Sequence, residues 1–232
     1  MLLDEPRHRA WRGRILERSR RPACENSFRR PAAFDCSRAR TDRMNISAVL
    51  LAGGESRRMG QDKATLLFRG KPLWQIQLEL LRKLEPAEIH VSGRTDPAWR
   101  PDDVQFVADD APSRGPLSGL AASLGRVHSA HLLALAIDMP FMTENFLRYL
   151  CDQIEPRVGV VPKIDNRAEP LAAIYPREVA IDFRNALAGA DFSLQTLVRR
   201  LVDTGKLREL SLREQEKRLF LNMNQLSDLQ SV

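Results

Sequence analysis

With 232 residues, 43% of them hydrophobic, the chain can bury one sizeable core, and its length fits one domain or one domain with an appendage. The formal charge of +6 sits wholly at the front: twelve of the 36 basic side chains and six of the 30 acids fall within residues 1–43, leaving 24 of each in the remainder. A neutral body argues against a basic nucleic-acid-binding face, no apolar run reaches the roughly eighteen residues of a membrane span, and Cys24, Cys36 and Cys151 have neither disulfide-framework nor zinc spacing.

Residues 1–43 alternate Arg with Pro, Ser and acids and show no sustained helical or strand period, so they read as a disordered extension. A basic nucleic-acid arm and an organelle transit peptide are the rival readings, the second weakened by the six acids. Met44 follows this segment directly, two residues before the first strongly apolar run, and is a candidate start. The arginine-rich front lacks the apolar core of a secretory signal, which makes the cytoplasm the expected compartment.

From Ile46 onward, short apolar runs alternate with longer amphipathic ones, the pattern of βα units around a mostly parallel sheet. Strands are expected at Ile46–Ala52, Glu88–Ser92, Val104–Ala108, His131–Ile137 and Val158–Pro162. Between them, Pro72–Leu84 places Leu73, Ile76, Leu80 and Leu84 on one stripe, and Pro116–His128 opens with Pro at the first turn after Gly115. Thr143–Cys151 makes a third helix, with Thr143 as its cap. Beyond it, Pro170–Tyr175 reads as an edge strand, and Pro176–Leu187 and Ser193–Leu201 as helices. The whole of 44–232 is expected to form one α/β domain.

The segment from Leu51 to Lys63, Leu-Ala-Gly-Gly-Glu-Ser-Arg-Arg-Met-Gly-Gln-Asp-Lys, leaves the end of the first strand. Gly53 and Gly54 lack a Cβ, so the backbone can turn sharply and aim its N–H groups at phosphate, while Arg58 and Lys63 can neutralise phosphate oxygens. Ligands of open parallel sheets bind outside the carboxyl ends of the strands, where this loop emerges. A solvated turn with glycines for bending is the bland alternative, and the spacing is neither that of a dinucleotide fingerprint nor that of a P-loop. Asp138 follows an aliphatic run and stands at the end of another central strand, where it can be either an oxygen ligand for Mg²⁺ or the cap of the next turn. His90, His128 and His131 fall in or beside regular elements without a partner motif and read as structural or surface residues.

The string LAGGxSxRMGxDK resembles the signature of the molybdenum cofactor guanylyltransferase (MobA) family of nucleotidyltransferases, and the resemblance runs over roughly residues 46–230. Lys71-Pro-Leu73 is similar to the family's GKPL helix start, Asp109 to Gly119 to its acid followed by a GPLxG turn, and Ala136-Ile-Asp138-Met-Pro140 to its CDxP element, with Ile for Cys. Glu169 to Tyr175 is similar to a segment near the acceptor, and Asn222-Met-Asn224 to a late NxN element. The resemblance implies a three-layer Rossmann-like fold, and transfer of GMP from GTP to molybdopterin with Mg²⁺ and release of pyrophosphate. It also implies nucleotide contacts at Leu51, Ala52, Gly53, Gly54, Lys63, Asp109 and Gly115, catalytic cations at Arg58 and Lys63, and the metal at Asp138; where the family often has Asn after the second strand this chain has Arg94, a departure that contacts either phosphate or solvent. Asn222 and Asn224, alternating with apolar neighbours, would share one face of a strand, either lining the pocket or standing as polar residues of an edge strand. Relatives that use CTP tend to carry Ala where this chain has Gly53, which favours GTP. Molybdoenzymes or their chaperones are the implied protein partners, with no nucleic acid or membrane. A CTP-dependent or sugar-activating relative, or a binder that has lost turnover, is the alternative.

Overall fold

The computed structural model describes residues 45–53, 62–109 and 112–223. Strand β1 (Ile46–Leu51) is buried at every position, as the unbroken apolar run ISAVLL requires of a strand covered on both faces. A 3₁₀ turn, Lys63–Thr65, and a small hairpin of β2 (Leu67–Phe68) and β3 (Lys71–Pro72) lead into α1 (Leu73–Arg82). Then come β4 (Ile89–Gly93), β5 (Gln105–Ala108), α2 (Pro116–Leu124), β6 (His131–Ala136) and α3 (Glu144–Cys151). The chain continues through β7 (Gly159–Ile164), β8 (Arg167–Ala168), β9 (Ala172–Pro176), α4 (Ala180–Ala188), α5 (Leu194–Asp203), β10 (Leu207–Ser211) and α6 (Glu214–Lys217).

Among the described residues the central sheet has eight strands in the order β10-β7-β9-β6-β1-β4-β5, with β8 paired to β7. The pairs β1–β4, β1–β6, β4–β5 and β7–β10 are parallel, and the pairs β6–β9, β7–β9 and β7–β8 are antiparallel. This is the expected mostly parallel sheet, with one correction. The strand expected at the edge near Pro170–Tyr175 is β9, and it lies in the interior between β6 and β7. Ala172, Ala173, Ile174 and Tyr175 are all fully buried, so this run carries the burial of a central strand.

The two-residue period of the strands explains the three layers. Ala48 and Leu50 of β1 and Leu133 and Leu135 of β6 pack on one face with Leu73, Leu78 and Leu81 of α1 and Leu147 and Leu150 of α3. Val49, Leu51, Leu132 and Ala134 point the other way, onto Leu117, Leu120 and Leu124 of α2, Phe183 of α4 and Leu197 and Leu201 of α5. Each fully buried leucine contributes about 1.5–3 kcal/mol relative to exposure. Local signals set the helix starts. Thr143 Oγ1 accepts from the Phe146 amide at 3.4 Å and Ser193 Oγ from the Thr196 amide at 3.3 Å, while Gly115 takes φ +68° ahead of Pro116. Among the described residues, no helix is long and apolar enough to cross a membrane.

From β1 the chain builds outward through β4 to β5, and then α2 carries it back across so that β6 lies on the opposite flank of β1. That reversal opens a crevice at the carboxyl ends of β1 and β6, the usual place for a ligand in an open α/β sheet.

Candidate active site

Parallel register brings the strand ends together at the crevice: Leu51 pairs with Ser92 on one side and with Ala136 on the other. The Ala52 amide donates to the Ser92 carbonyl at 2.9 Å and the Ile137 amide to the Leu51 carbonyl at 3.2 Å, so the ladder continues to its rim. Of the residues expected at the site, Leu51, Ala52, Gly53, Lys63, Arg94, Asp109, Gly115 and Asp138 all line one cleft there. Ser113, Pro116, Ala136, Ile137 and Leu171 complete its walls. Gly54, Arg58 and Asn224 lie outside the described residues.

Lys63 opens the 3₁₀ turn. The Asp62 side chain caps that turn through Oδ1, which accepts from the Ala64 amide at 3.0 Å, and Ala64 anchors it by complete burial. Lys63 is thereby turned inward, and its Nζ lies 3.4 Å from Asp138 Oδ2, with the two side chains 28% and 21% exposed. In a partly wet cleft such a pair contributes little to stability, so its interest is positional. The sequence separates the two residues by 75 positions.

Asp109 is fixed differently. Its amide donates to the Gly93 carbonyl at 2.9 Å, and its carboxylate accepts from Ser92 Oγ at 3.0 Å and Ser113 Oγ at 3.1 Å. Two glycines make room for it. A Cβ on Gly53 would come 3.2 Å from Asp109 Oδ2, and one on Gly119 would come 2.7 Å from Ser92 Oγ and 3.2 Å from Asp109 Oδ1. The closeness of Gly53 to this carboxylate gives a physical content to its glycine that the sequence did not reveal. Ser92 and Ser113 carried no motif; a buried serine at the end of an apolar strand was the available signal for the first.

The Asp138 carbonyl accepts from the Met223 amide at 2.8 Å, which brings the late segment to the cleft. Asn222 does not follow expectation. Leu221–Met223 is not a strand, and Asn222 is exposed and is not among the residues lining the cleft. The alternation Leu-Asn-Met-Asn mimics a strand, but the 3₁₀ turn Arg218–Phe220 runs directly into it and backbone pairing is made through Met223. Arg94, exposed, borders both this cleft and an adjoining one shared by Gly53, Asp62, Gly93 and Trp99.

Cys151, His90 and His131 are not among the residues lining the cleft. Cys151 is buried in the core, which pushes its thiol up to about 12 and keeps it protonated. His90 and His131 are buried within strands, and His131 Nε2 lies 3.2 Å from the Glu155 carbonyl. Among the described residues no group of three or more His, Cys, Asp or Glu side chains gathers as a cage for a metal. The cleft therefore offers cations, carboxylates, backbone and hydroxyls.

The chain matches the family described as MobA-like NTP transferase domain over residues 48–205. It is 33% identical over 186 residues to the protein named probable molybdenum cofactor guanylyltransferase of Opitutus terrae, covering 79% of this chain and 92% of that one. The molybdenum cofactor guanylyltransferase of Syntrophotalea carbinolica is 31% identical over 190 residues, covering 79% and 89%. Among solved structures, the molybdopterin-guanine dinucleotide biosynthesis protein A of Archaeoglobus fulgidus superposes with a TM-score of 0.65 at 23% identity, covering 79% of this chain and 95% of that one. The 4-diphosphocytidyl-2C-methyl-D-erythritol synthase of Anaerococcus prevotii reaches 0.61 at 14% identity, covering 81% and 96%, so the fold alone does not choose the nucleotide. Family match over more than half the chain and identity above 30% across most of a relative's length agree with the geometry: this chain belongs to the MobA-like NTP transferase family and is a nucleotidyltransferase.

Proposed function

We propose that the protein transfers the guanylyl group of GTP to the terminal phosphate of molybdopterin, forming the guanine dinucleotide cofactor and pyrophosphate. The names borne by relatives at 31–33% identity support the two substrates, and one observation ties the chemistry to this chain: Lys63 and Asp138 meet 3.4 Å apart at the carboxyl end of β6. A phosphate oxygen of the acceptor attacks the α-phosphorus of GTP. The bond from that phosphorus to the oxygen bridging to the β-phosphorus breaks, and the bridging oxygen leaves with the electron pair in pyrophosphate. Positioning and charge neutralisation suffice, with no protein nucleophile.

Lys63 exchanges its contact with Asp138 for a phosphate oxygen when the nucleotide arrives, and meets the negative charge that develops in the transition state. Arg58, four positions beyond Gly54 in the sequence, is the second cation. Asp109, held by two serine hydroxyls and by the room at Gly53, fixes the wall against which the nucleotide lies. Gly115 and Arg94 border the same space.

A single half-buried carboxylate suits Mg²⁺ better than a protein-only cage, because that ion keeps waters and shares one or two carboxylates with substrate phosphates. Asp138 would hold it, and when bound it supplies positive charge to the phosphate oxygens. The cytoplasm is the proposed site of action, with molybdoenzymes or their chaperones receiving the product.

The test incubates the full chain with each NTP, Mg²⁺ and molybdopterin and measures pyrophosphate. Release with GTP that depends on the acceptor is expected, and GTP should raise the melting temperature more than CTP does. Faster release with CTP, together with stronger protection by it, would move the protein to the pyrimidine users.

A further inference from the structure

The acid of the phosphate-loop motif, Asp62, is not among the residues lining the cleft that holds Lys63 and Asp138; it lines the adjoining one together with Trp99. Its Oδ1 caps the turn that begins at Lys63, and its Oδ2 accepts from Trp99 Nε1 at 2.8 Å. Trp99 lies 37 residues further along, on the connection between β4 and β5, and its own position is set from two sides. Its ring stacks on Trp74 of α1, with centroids 5.6 Å apart and planes 15° from parallel. The next residue, Arg100, binds Asp96 through two hydrogen bonds of 2.7 and 2.8 Å and donates to the Pro101 and Val104 carbonyls, pinning the loop to itself.

We propose that Trp99 is a positioning residue for Lys63: its indole N–H holds Asp62, and Asp62 holds the turn that aims the lysine at the reacting phosphate. The inference rests on the proposed role of Lys63. The geometry carries it because an exposed aspartate capping a three-residue turn is otherwise free to rotate, and a turn this short has few bonds of its own to fix its direction. The indole removes that freedom. It presents one N–H to the carboxylate oxygen that the cap leaves over, and the ring is immobilised by stacking and by the Arg100 clasp. Misaiming a charged group by a fraction of an ångström lowers the rate of a reaction that depends on alignment more than it lowers ground-state binding.

Trp99→Phe keeps an aromatic ring for Trp74 and deletes the N–H. In the full chain it should lower kcat by about three- to tenfold, the scale of one hydrogen bond, with KM for GTP changed less than about twofold and the melting temperature nearly unchanged. Asp62→Asn, which keeps the cap acceptor but cannot serve both partners, should lower kcat by a similar factor. The deciding measurement is a double-mutant cycle. In a Lys63→Ala background Trp99→Phe should cost nothing further, because the group it aims is gone. Equal losses from Trp99→Phe with and without Lys63, or a loss confined to melting temperature, would overturn the inference while leaving the reaction assignment intact. Near-normal turnover of Lys63→Ala itself would overturn the proposed role of the lysine and this inference with it.

Discussion

Each end of the central sheet holds a carboxylate among hydroxyls. At the amino end, Glu88 accepts from Ser47 Oγ at 2.7 Å and from the His128 amide at 3.2 Å, and His90 Nε2 lies 3.2 Å from its other oxygen. Ser47 and Ser129 close the group with hydroxyls 2.9 Å apart, and His90 is 1% exposed. At the carboxyl end Asp109 accepts from two serines in much the same way, yet it borders a cleft with Lys63 and Asp138 beside it. The first set turns inward, its carboxylate bonded to a hydroxyl, an amide and an imidazole, with His90 Nδ1 left without a partner in the core. The second leaves charge facing space. Polar burial alone does not mark a site; polar groups converging on an open crevice do.

That contrast can be broken at its strongest point. Lys63→Ala should lower kcat by roughly a hundredfold or more, the effect of losing one electrostatic stabiliser, while thermal unfolding shows no comparable change. A variant that unfolds at much lower temperature would make Lys63 a structural residue instead. Asp138→Asn should lower turnover by about tenfold at ordinary Mg²⁺ and regain part of it at high Mg²⁺, since the amide keeps the shape but not the ligand charge. Unchanged Mg²⁺ dependence with near-normal turnover would return Asp138 to the role of a turn cap.

The closed end should fail in the opposite manner. Glu88→Gln should leave kcat unaltered but remove about 1–2 kcal/mol of stability, a fall in melting temperature of roughly 2–8 °C for a domain of this size. The two ends should also respond differently to pH. Burial pushes Glu88 upward, but the bonds from Ser47 and the His128 amide and the nearby imidazole outweigh it, so it titrates below its ordinary 4.5; burial holds His90 below 6.5 against the pull of Glu88. The unfolded chain therefore takes up protons that the fold refuses. Stability present at neutral pH falls as the pH drops through 6.5, and again through 4.5. A melting temperature that rises on acidification from pH 7 to 5.5 would contradict this account. The smallest effect belongs to the front of the chain. Deleting residues 1–43, whose composition offers no packed apolar face, should move the melting temperature and kcat little, and a large fall on truncation would refute that.

Much of this fold was legible residue by residue. A strand covered on both faces must be apolar throughout, so β1 and β6 announced themselves, and Thr143, Ser193, Gly115 and Pro116 marked helix starts through local backbone chemistry. The strand β10, with the sequence LRELS at the sheet edge, was missed because its exposed positions dilute the pattern. Asn222 was misplaced because alternation suggests a strand whether or not a partner lies alongside. Trp99 gave no signal at all, since its use depends on an aspartate 37 positions away.

The alternation of strands and helices, the phosphate-loop motif and the neutral charge of the body are readable in the chain of residues, because each arises from side-chain chemistry within a few neighbours. The interior place of β9, the return of β6 to the far flank of β1 and the approach of Lys63 to within 3.4 Å of Asp138 come from packing in three dimensions. The physical reason is that hydrophobic periodicity says which face of an element is buried but not against what. Neighbours and register are chosen by the packing of both sheet faces at once, and the candidate site consists of those choices.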